Sequence, residues 1–264
     1  MPKNQKGRQV RAREILERPL PQLITGPHHT TSSALHQLYY QKGLFEWTTF
    51  ATKVEEFYDQ NVKITRPIYY VGRAATSREA IDEFVGVGQE SGVQSRFMQS
   101  IGTVLGAILD GLQIDIKFAC WKAADSKGRP GEPDIALLDR NWQVMSIGEV
   151  KAFWVEAHNL NGVDETYLRR LLGQPLRYMR DHQCEYGFLT TYEQTIFLHQ
   201  TQKNGEWAVK YSEVIFSDTE YAEARNGSEL TVSVKQCFIY LAEVASKATP
   251  TQNLVPRDDW VDPR

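Results

Sequence analysis

Several broad classes are excluded by what the chain lacks. Its 264 residues hold only 3 cysteines, Cys120, Cys184 and Cys237, far apart and with no C-x-x-C spacing. That count excludes a disulfide scaffold and a cysteine-type structural zinc site, and it points to a reducing compartment. No apolar run approaches the roughly 18–20 residues of a membrane span. The first stretch, MPKNQKGRQVRAREILERP, has no apolar segment behind its basic residues, so no secretory signal is read there and an intracellular location, nuclear or cytoplasmic, is expected. The 6 histidines show no H-x-x-x-H spacing. A G-x-S-x-G elbow is missing, which leaves covalent-nucleophile hydrolysis unsupported. A P-loop is missing too, and Gly86-Val87-Gly88 has neither a third glycine nor a preceding strand for a dinucleotide turn. Positive charge is not in excess: 30 basic against 33 acidic residues give a net charge of −3. Any nucleic-acid contact must therefore come from a local patch. Internal repeats and low-complexity tracts are absent.

What is present reads as a soluble globular chain, with 41% hydrophobic and 24% charged residues and a mean hydropathy of −0.45, values unlike those of disordered or collagen-like chains. Residues 1–30 carry Lys3, Lys6, Arg8, Arg11, Arg13 and Arg18, followed by Pro19, Pro21 and Pro27. They read as a flexible or partly helical basic arm, suited to nucleic-acid contact, to a nuclear address or simply to solvation. Residues 31–80 are expected to form a helical extension. In it Leu35, Leu38 and Tyr39, then Phe50, Val54 and Phe57, fit helical spacing on either side of Gly43. Tyr39, Tyr40, Tyr69 and Tyr70 read as core aromatics or as base-stacking groups.

A domain over 81–248 follows, with a tail at 249–264. Val93, Phe97, Ile101, Leu105 and Ile108 form one apolar helical stripe. Gly86, Gly88 and Gly92 lie upstream of it, which puts Glu90 at or near the helix start. The period then changes to the alternation of strands at 112–120, 133–139 and 142–154, with a charged Gly/Pro loop at 123–132 and a short turn at Arg140-Asn141. A helix over 164–182 is capped by Asp164, and Pro175 should kink or break it. Strands at 184–191 and 194–200 follow, then an edge strand near 207–216 and a closing helix over 228–246 with Val234, Cys237, Phe238 and Leu241 on one face. The predicted class is α/β (α+β): helix, three strands, helix, strand, with a mixed sheet flanked by helices.

The chemistry concentrates at Pro133-Asp134 and Glu149-Val150-Lys151. A hairpin turning near Arg140 brings Asp134 and Glu149 onto adjacent strands, and the period of two puts Glu149 and Lys151 on one face. Two carboxylates so placed offer oxygen ligands to a hard cation such as Mg²⁺, and the Val150 carbonyl can add a third. Lys151 can orient or help deprotonate a water and can neutralise phosphate charge. Set against this, Asp134 could be a strand-initiating turn residue, and Glu149 with Lys151 a solvated surface pair.

Asp134, 14 intervening residues and Glu149-Val150-Lys151 resemble the defining pattern of the PD-(D/E)XK nuclease superfamily, whose restriction-endonuclease-like core has the same helix–three strands–helix–strand order. Gln174-Pro-Leu-Arg-Tyr178 is similar to the Q-x-x-x-Y motif of RecB-like nucleases. The strings GEPDIALLD, GEVKAFW, GQPLRYM and CEYGFLTTYEQTIFL resemble fungal PD-(D/E)XK-like proteins. The resemblance spans about 85–200. It implies phosphodiester hydrolysis with Mg²⁺, for which Mn²⁺ can substitute, leaving a 5′-phosphate. Asp134 and Glu149 would then be metal ligands, Lys151 the catalytic lysine and Glu90 an additional or outer ligand, with Gln174 and Tyr178 positioning DNA or the metal's waters. Arg170, Arg177 and Arg180 on the same helix suit phosphates, or a solvated face. The rival readings are a silent nuclease-fold module that binds nucleic acid or protein, and a homodimer or protein partner held by the N-terminal helices or the closing helix.

Overall fold

The computed structural model describes residues 8–31, 37–64, 68–70, 86–124, 130–224 and 229–263. The first third consists of short elements: β1 (Arg8–Val10), α1 (Ala12–Glu17), β2 (Ile24–Thr25), β3 (Leu38–Tyr40), β4 (Gly43–Glu46), α2 (Phe50–Asn61), β5 (Ile68–Tyr70) and β6 (Gly86–Val87). The helix expected around Leu38 and Tyr39 is a strand instead, and Leu35 lies outside the described residues, as do 71–85. The second apolar group does form a helix: Phe50 and Val54 on α2 are fully buried. The basic arm is in large part packed, since α1 buries Ala12, Ile15 and Leu16. Lys3 and Lys6 fall outside the described residues, and so do the side chains of Tyr69 and Tyr70.

The apolar stripe forms one continuous helix in three parts: α3 (Glu90–Phe97), a π-turn over Met98–Thr103 and α4 (Val104–Leu112). Three successive four-residue steps in a plain α-helix would drift by about 120°. The wider π-turn takes up that drift, and Val93, Phe97, Ile101, Leu105 and Ile108 are all essentially inaccessible. Gln113, at φ 60°, closes the helix. The first core strand, β7 (Lys117–Cys120), is therefore shorter than the alternation over 112–120 suggests.

β8 (Ile135–Leu138) and β9 (Val144–Val150) form the expected hairpin. Its turn is held by Asp139, whose carboxylate accepts from the Asn141 and Gln143 amides, each at 2.8 Å. The loop before β8 lies partly outside the described residues, at 125–129. Asp164 caps α5 (Glu165–Leu171) by accepting from the Tyr167 amide at 2.8 Å. The chain breaks at Leu172, and Pro175 falls in the first turn of α6 (Gly173–Asp181), where its missing N–H costs little. Gly173 is needed at this break, because a Cβ there would sit 2.7 Å from the Leu38 carbonyl oxygen. Next come β10 (Tyr186–Thr190), β11 (Gln194–Lys203), β12 (Glu206–Tyr211), β13 (Ile215–Phe216), α7 (Val234–Lys247), α8 (Arg257–Trp260) and β14 (Val261–Pro263).

The central sheet runs β4-β12-β11-β10-β9-β8-β7, with β13 beside β11. It is mixed: β9/β10 and β12/β4 are parallel, and the other neighbours are antiparallel. The strand expected at the edge, β12, is covered by β4 from the N-terminal region. One face packs against α1, α2, α7 and the α3–α4 helix. The other packs against α5, α6, β3 and the buried Trp260 and Val261. The α/β class and the helix–three strands–helix–strand core thus stand as expected.

The closing helix buries Val234 to Ile239, Leu241, Ala242 and Ala245 inside this layer. The sequence reading offered this helix, with the N-terminal helices, as one place for a homodimer or protein partner, and its apolar face is not open to one. The face is consumed by α1, α2, α4 and the sheet.

Candidate active site

β9 is buried on both faces because helices cover the sheet on each side, and the period of two sets Ile147 and Glu149 toward α6. The hairpin brings the start of β8 beside the end of β9. Asp134, one residue before β8, accepts from the Val150 amide through Oδ2 at 2.9 Å. Its own carbonyl accepts from Gln94 Nε2 of α3 at 2.5 Å. Lys151, just past β9, donates from Nζ to Glu149 Oε1 at 2.7 Å and lies 3.9 Å from Glu90 Oε1. Glu90 is the first residue of α3. Four of the expected residues therefore meet where three elements end.

Glu149 is 2% exposed, and its Oε2 is buried with no hydrogen-bond partner. Burial, together with repulsion from Asp134 and Glu90, pushes its pKa up to about 8 against the pull of Lys151. Asp134 is raised by burial, and Glu90 by burial and by Asp134. Burial pulls Lys151 down, but Glu149, Glu90 and Asp134 outweigh it and hold the ammonium above its usual pKa. Lys151 is thus a fixed cation and donor here. Of the two roles read from the sequence, orienting water and neutralising phosphate suits this state, and removing a proton does not.

Gln174 and Tyr178 stand one turn apart on α6, with Gln174 Nε2 donating to Tyr178 Oη at 3.3 Å. Burial raises the Tyr178 pKa, and the nearby Glu149 and Asp134 add to that, so it remains a phenol donor facing the carboxylates. Gly131, at φ +90°, packs under its ring, and a Cβ there would lie 2.5 Å from Tyr178 Cε1. That close approach ties the segment leading into Asp134 to α6.

The three arginines part ways. Arg170 is exposed. Arg177 Nε is buried without a partner. Arg180 is held by the Val255 carbonyl at 2.8 and 3.0 Å and by Asp181 at 2.8 Å.

Two positioning residues escaped sequence reading. Gln94 holds Asp134 from α3, one turn after Glu90. His158 is buried with Nδ1 3.0 Å from the Ala152 carbonyl, and burial and Lys151 hold its pKa low. The one-turn spacing of Glu90 and Gln94 could have flagged the first; nothing local marks the second.

The donor set fits a hard cation. Glu149 Oε2 is buried, accepts no hydrogen bond and lies beside a second carboxylate, and a divalent ion held by both would take the place of the proton they share without metal. Among the described residues no group of three or more His, Cys, Asp or Glu side chains is placed to hold a metal ion. Mg²⁺, which keeps several waters and takes one or two carboxylates, does not need such a group. No helix among the described residues is long and apolar enough to cross a membrane.

No protein-family model matches the chain, and no curated protein matches it. Two solved structures share some of its shape. A cryo-electron-microscopy structure of a DrdV–DNA complex is 14% identical with a TM-score of 0.32, covering 77% of this chain. The chain spans only 14% of that protein's length. A candidate nuclease belonging to DUF820 from Anabaena variabilis is 13% identical with a TM-score of 0.29, covering 71% of this chain and 98% of its own. Neither is fungal. The fold class rests on the strand order and pairing above.

Proposed function

We propose that the chain is a metal-dependent nuclease of the PD-(D/E)XK type that hydrolyses phosphodiesters in nucleic acid, DNA before RNA. The observation that carries this reading is the buried Glu149 oxygen that accepts no hydrogen bond, set beside Asp134 and braced by Lys151 at the shared end of β8 and β9. Asp134 and Glu149 would hold Mg²⁺ or Mn²⁺, with the Val150 carbonyl as a third ligand and Glu90 at the margin, and the ion would polarise a phosphoryl oxygen and acidify a water. Lys151 donates to the scissile phosphate and offsets its developing charge. Tyr178 and Gln174 orient the attacking water or the phosphate from α6. Arg170 and Arg177 contact flanking phosphates, whereas Arg180 secures the C-terminal segment.

A second reading, a silent module that binds nucleic acid or protein, is favoured by the net charge of −3. Incubation of the protein with supercoiled, linear and single-stranded DNA and with RNA, in Mg²⁺, Mn²⁺ or EDTA, separates the two. Cleavage should need the metal and fall at least about a hundredfold in Asp134→Asn and Lys151→Ala, as loss of a charge-stabilising group costs. Folded protein that cuts none of these substrates would sink the nuclease reading and leave the silent module.

A further inference from the structure

An open cavity lies beside the catalytic cluster rather than in it. It measures about 790 Å³ and is lined by His29, Trp154, Glu156, Asn159, Asp164 and Tyr167, among others. That volume is in the range of small-ligand pockets. Both of its walls grow from the site. Trp154 is three residues past Lys151, so at most about 11 Å of chain separates them. On the other side, Thr30 donates its amide to the Gly88 carbonyl at 2.9 Å, two residues before Glu90. Trp154 bridges the walls, donating from Nε1 to the Thr30 carbonyl at 2.7 Å, with its ring 5.5 Å from that of His29.

The cavity is built in advance. Gln194 accepts from the Leu160 amide at 2.7 Å and donates to Asn159 Oδ1 at 3.0 Å. Tyr167 donates its hydroxyl to the Ala157 carbonyl at 2.9 Å. The loop that follows the catalytic strand is therefore fixed on three sides, and its aromatic rings have little rotamer freedom left to lose.

The lining chemistry is selective. Among the described residues no lysine or arginine lines the cavity, while Glu156 and Asp164 do. A phosphate would meet two carboxylates there and neither a lysine nor an arginine to offset them. A nucleobase suits both features: its π-face stacks on Trp154, and its amino and ring N–H groups donate to a carboxylate. A base inside a duplex cannot reach such a cavity without leaving its stack. We propose that this cavity is a base-binding subsite for an unpaired nucleotide next to the scissile phosphate, selecting amino-bearing bases and hence single-stranded or locally opened nucleic acid. This rests on the nuclease reading and adds its substrate class.

The test measures binding in EDTA, where no cutting occurs, by fluorescence anisotropy. The probes are labelled oligo-dA, oligo-dC, an abasic strand of equal length and a blunt duplex, with a lysine-rich peptide as a control. Oligo-dA and oligo-dC should bind about tenfold more tightly than the abasic strand and the duplex. Glu156→Gln, an exposed and conservative change, should remove about tenfold of that preference, and Trp154→Leu should weaken base-bearing strands and leave the abasic strand unchanged. Equal binding of abasic and base-bearing strands overturns the proposal, and so does an unchanged preference in Glu156→Gln. Capture of the peptide in place of the strands also overturns it, since rings with carboxylates suit ammonium groups as well. The parallel Mg²⁺ cleavage assay keeps the two readings apart. Base preference without cleavage sinks the nuclease alone, and cleavage without base preference sinks the subsite alone.

Discussion

Glu149 sits between an ammonium 2.7 Å away and the carboxyl group of Asp134, and burial decides which neighbour governs it: the carboxyl holds its proton to about pH 8. In the unfolded chain the same group ionises near 4.5. Without metal, then, its contribution to stability is full below pH 4.5 and is lost as pH rises through about 8. Asp134 and Glu90, both raised, slope the same way. Thermal melts in EDTA should therefore fall from pH 5 to 8 more steeply in the wild type than in Glu149→Gln. Mg²⁺ at pH 8 should raise the melting temperature of the wild type and leave Glu149→Gln unmoved; an equal rise in both would remove Glu149 from the ligand set. At this scale the sequence was informative where local period suffices. Alternation joined Glu149 to Lys151, and one-turn spacing joined Gln174 to Tyr178. It was silent where contact depends on the fold, as with His158, whose partner is a backbone carbonyl six residues away, and with Gly131, which is legible only once Tyr178 lies against it.

The elements were predicted best where their own residues decide them. Pro175 and the Asp164 cap mark the break and the start of the crossover helices from sequence alone. β3 and β4 could not be read in that way. They are 3 and 4 residues long, and they are strands only because β14 and β12, distant in sequence, offer backbone partners. The closing helix carries a signal of its own, a capping box. Ser233 Oγ accepts from the Gln236 amide at 3.2 Å, and Gln236 Oε1 accepts from the Ser233 amide at 2.9 Å. The same hydroxyl donates to the Leu16 carbonyl of α1. Ser233→Ala should cost about 1–2 kcal/mol by the lost cap, read from urea denaturation. A loss below about 0.5 kcal/mol would mean that water replaces both contacts.

Across the whole molecule, the segment read as a tail is structural. Trp260 is fully buried, packs edge-on to Tyr40 at 5.0 Å and donates to the Leu176 carbonyl of α6 at 2.8 Å. Trp260→Ala should cost about 3–5 kcal/mol, with a matching fall in the denaturation midpoint. A cost under about 1 kcal/mol would show that α6 stands without it. Trp260 also bears on how the chain can be divided. The candidate catalytic residues all fall between Glu90 and Tyr178, which invites trimming to a minimal cassette. Yet the sheet's outer strand comes from residues 43–46, one helical layer includes α1, α2 and α7, and the helix presenting Gln174 and Tyr178 is braced by residues 255–260. A fragment cut at 86–216 would keep every candidate ligand and lose the surfaces that hold them in register. It should express as insoluble protein, and the candidate site cannot be grafted elsewhere as a portable unit.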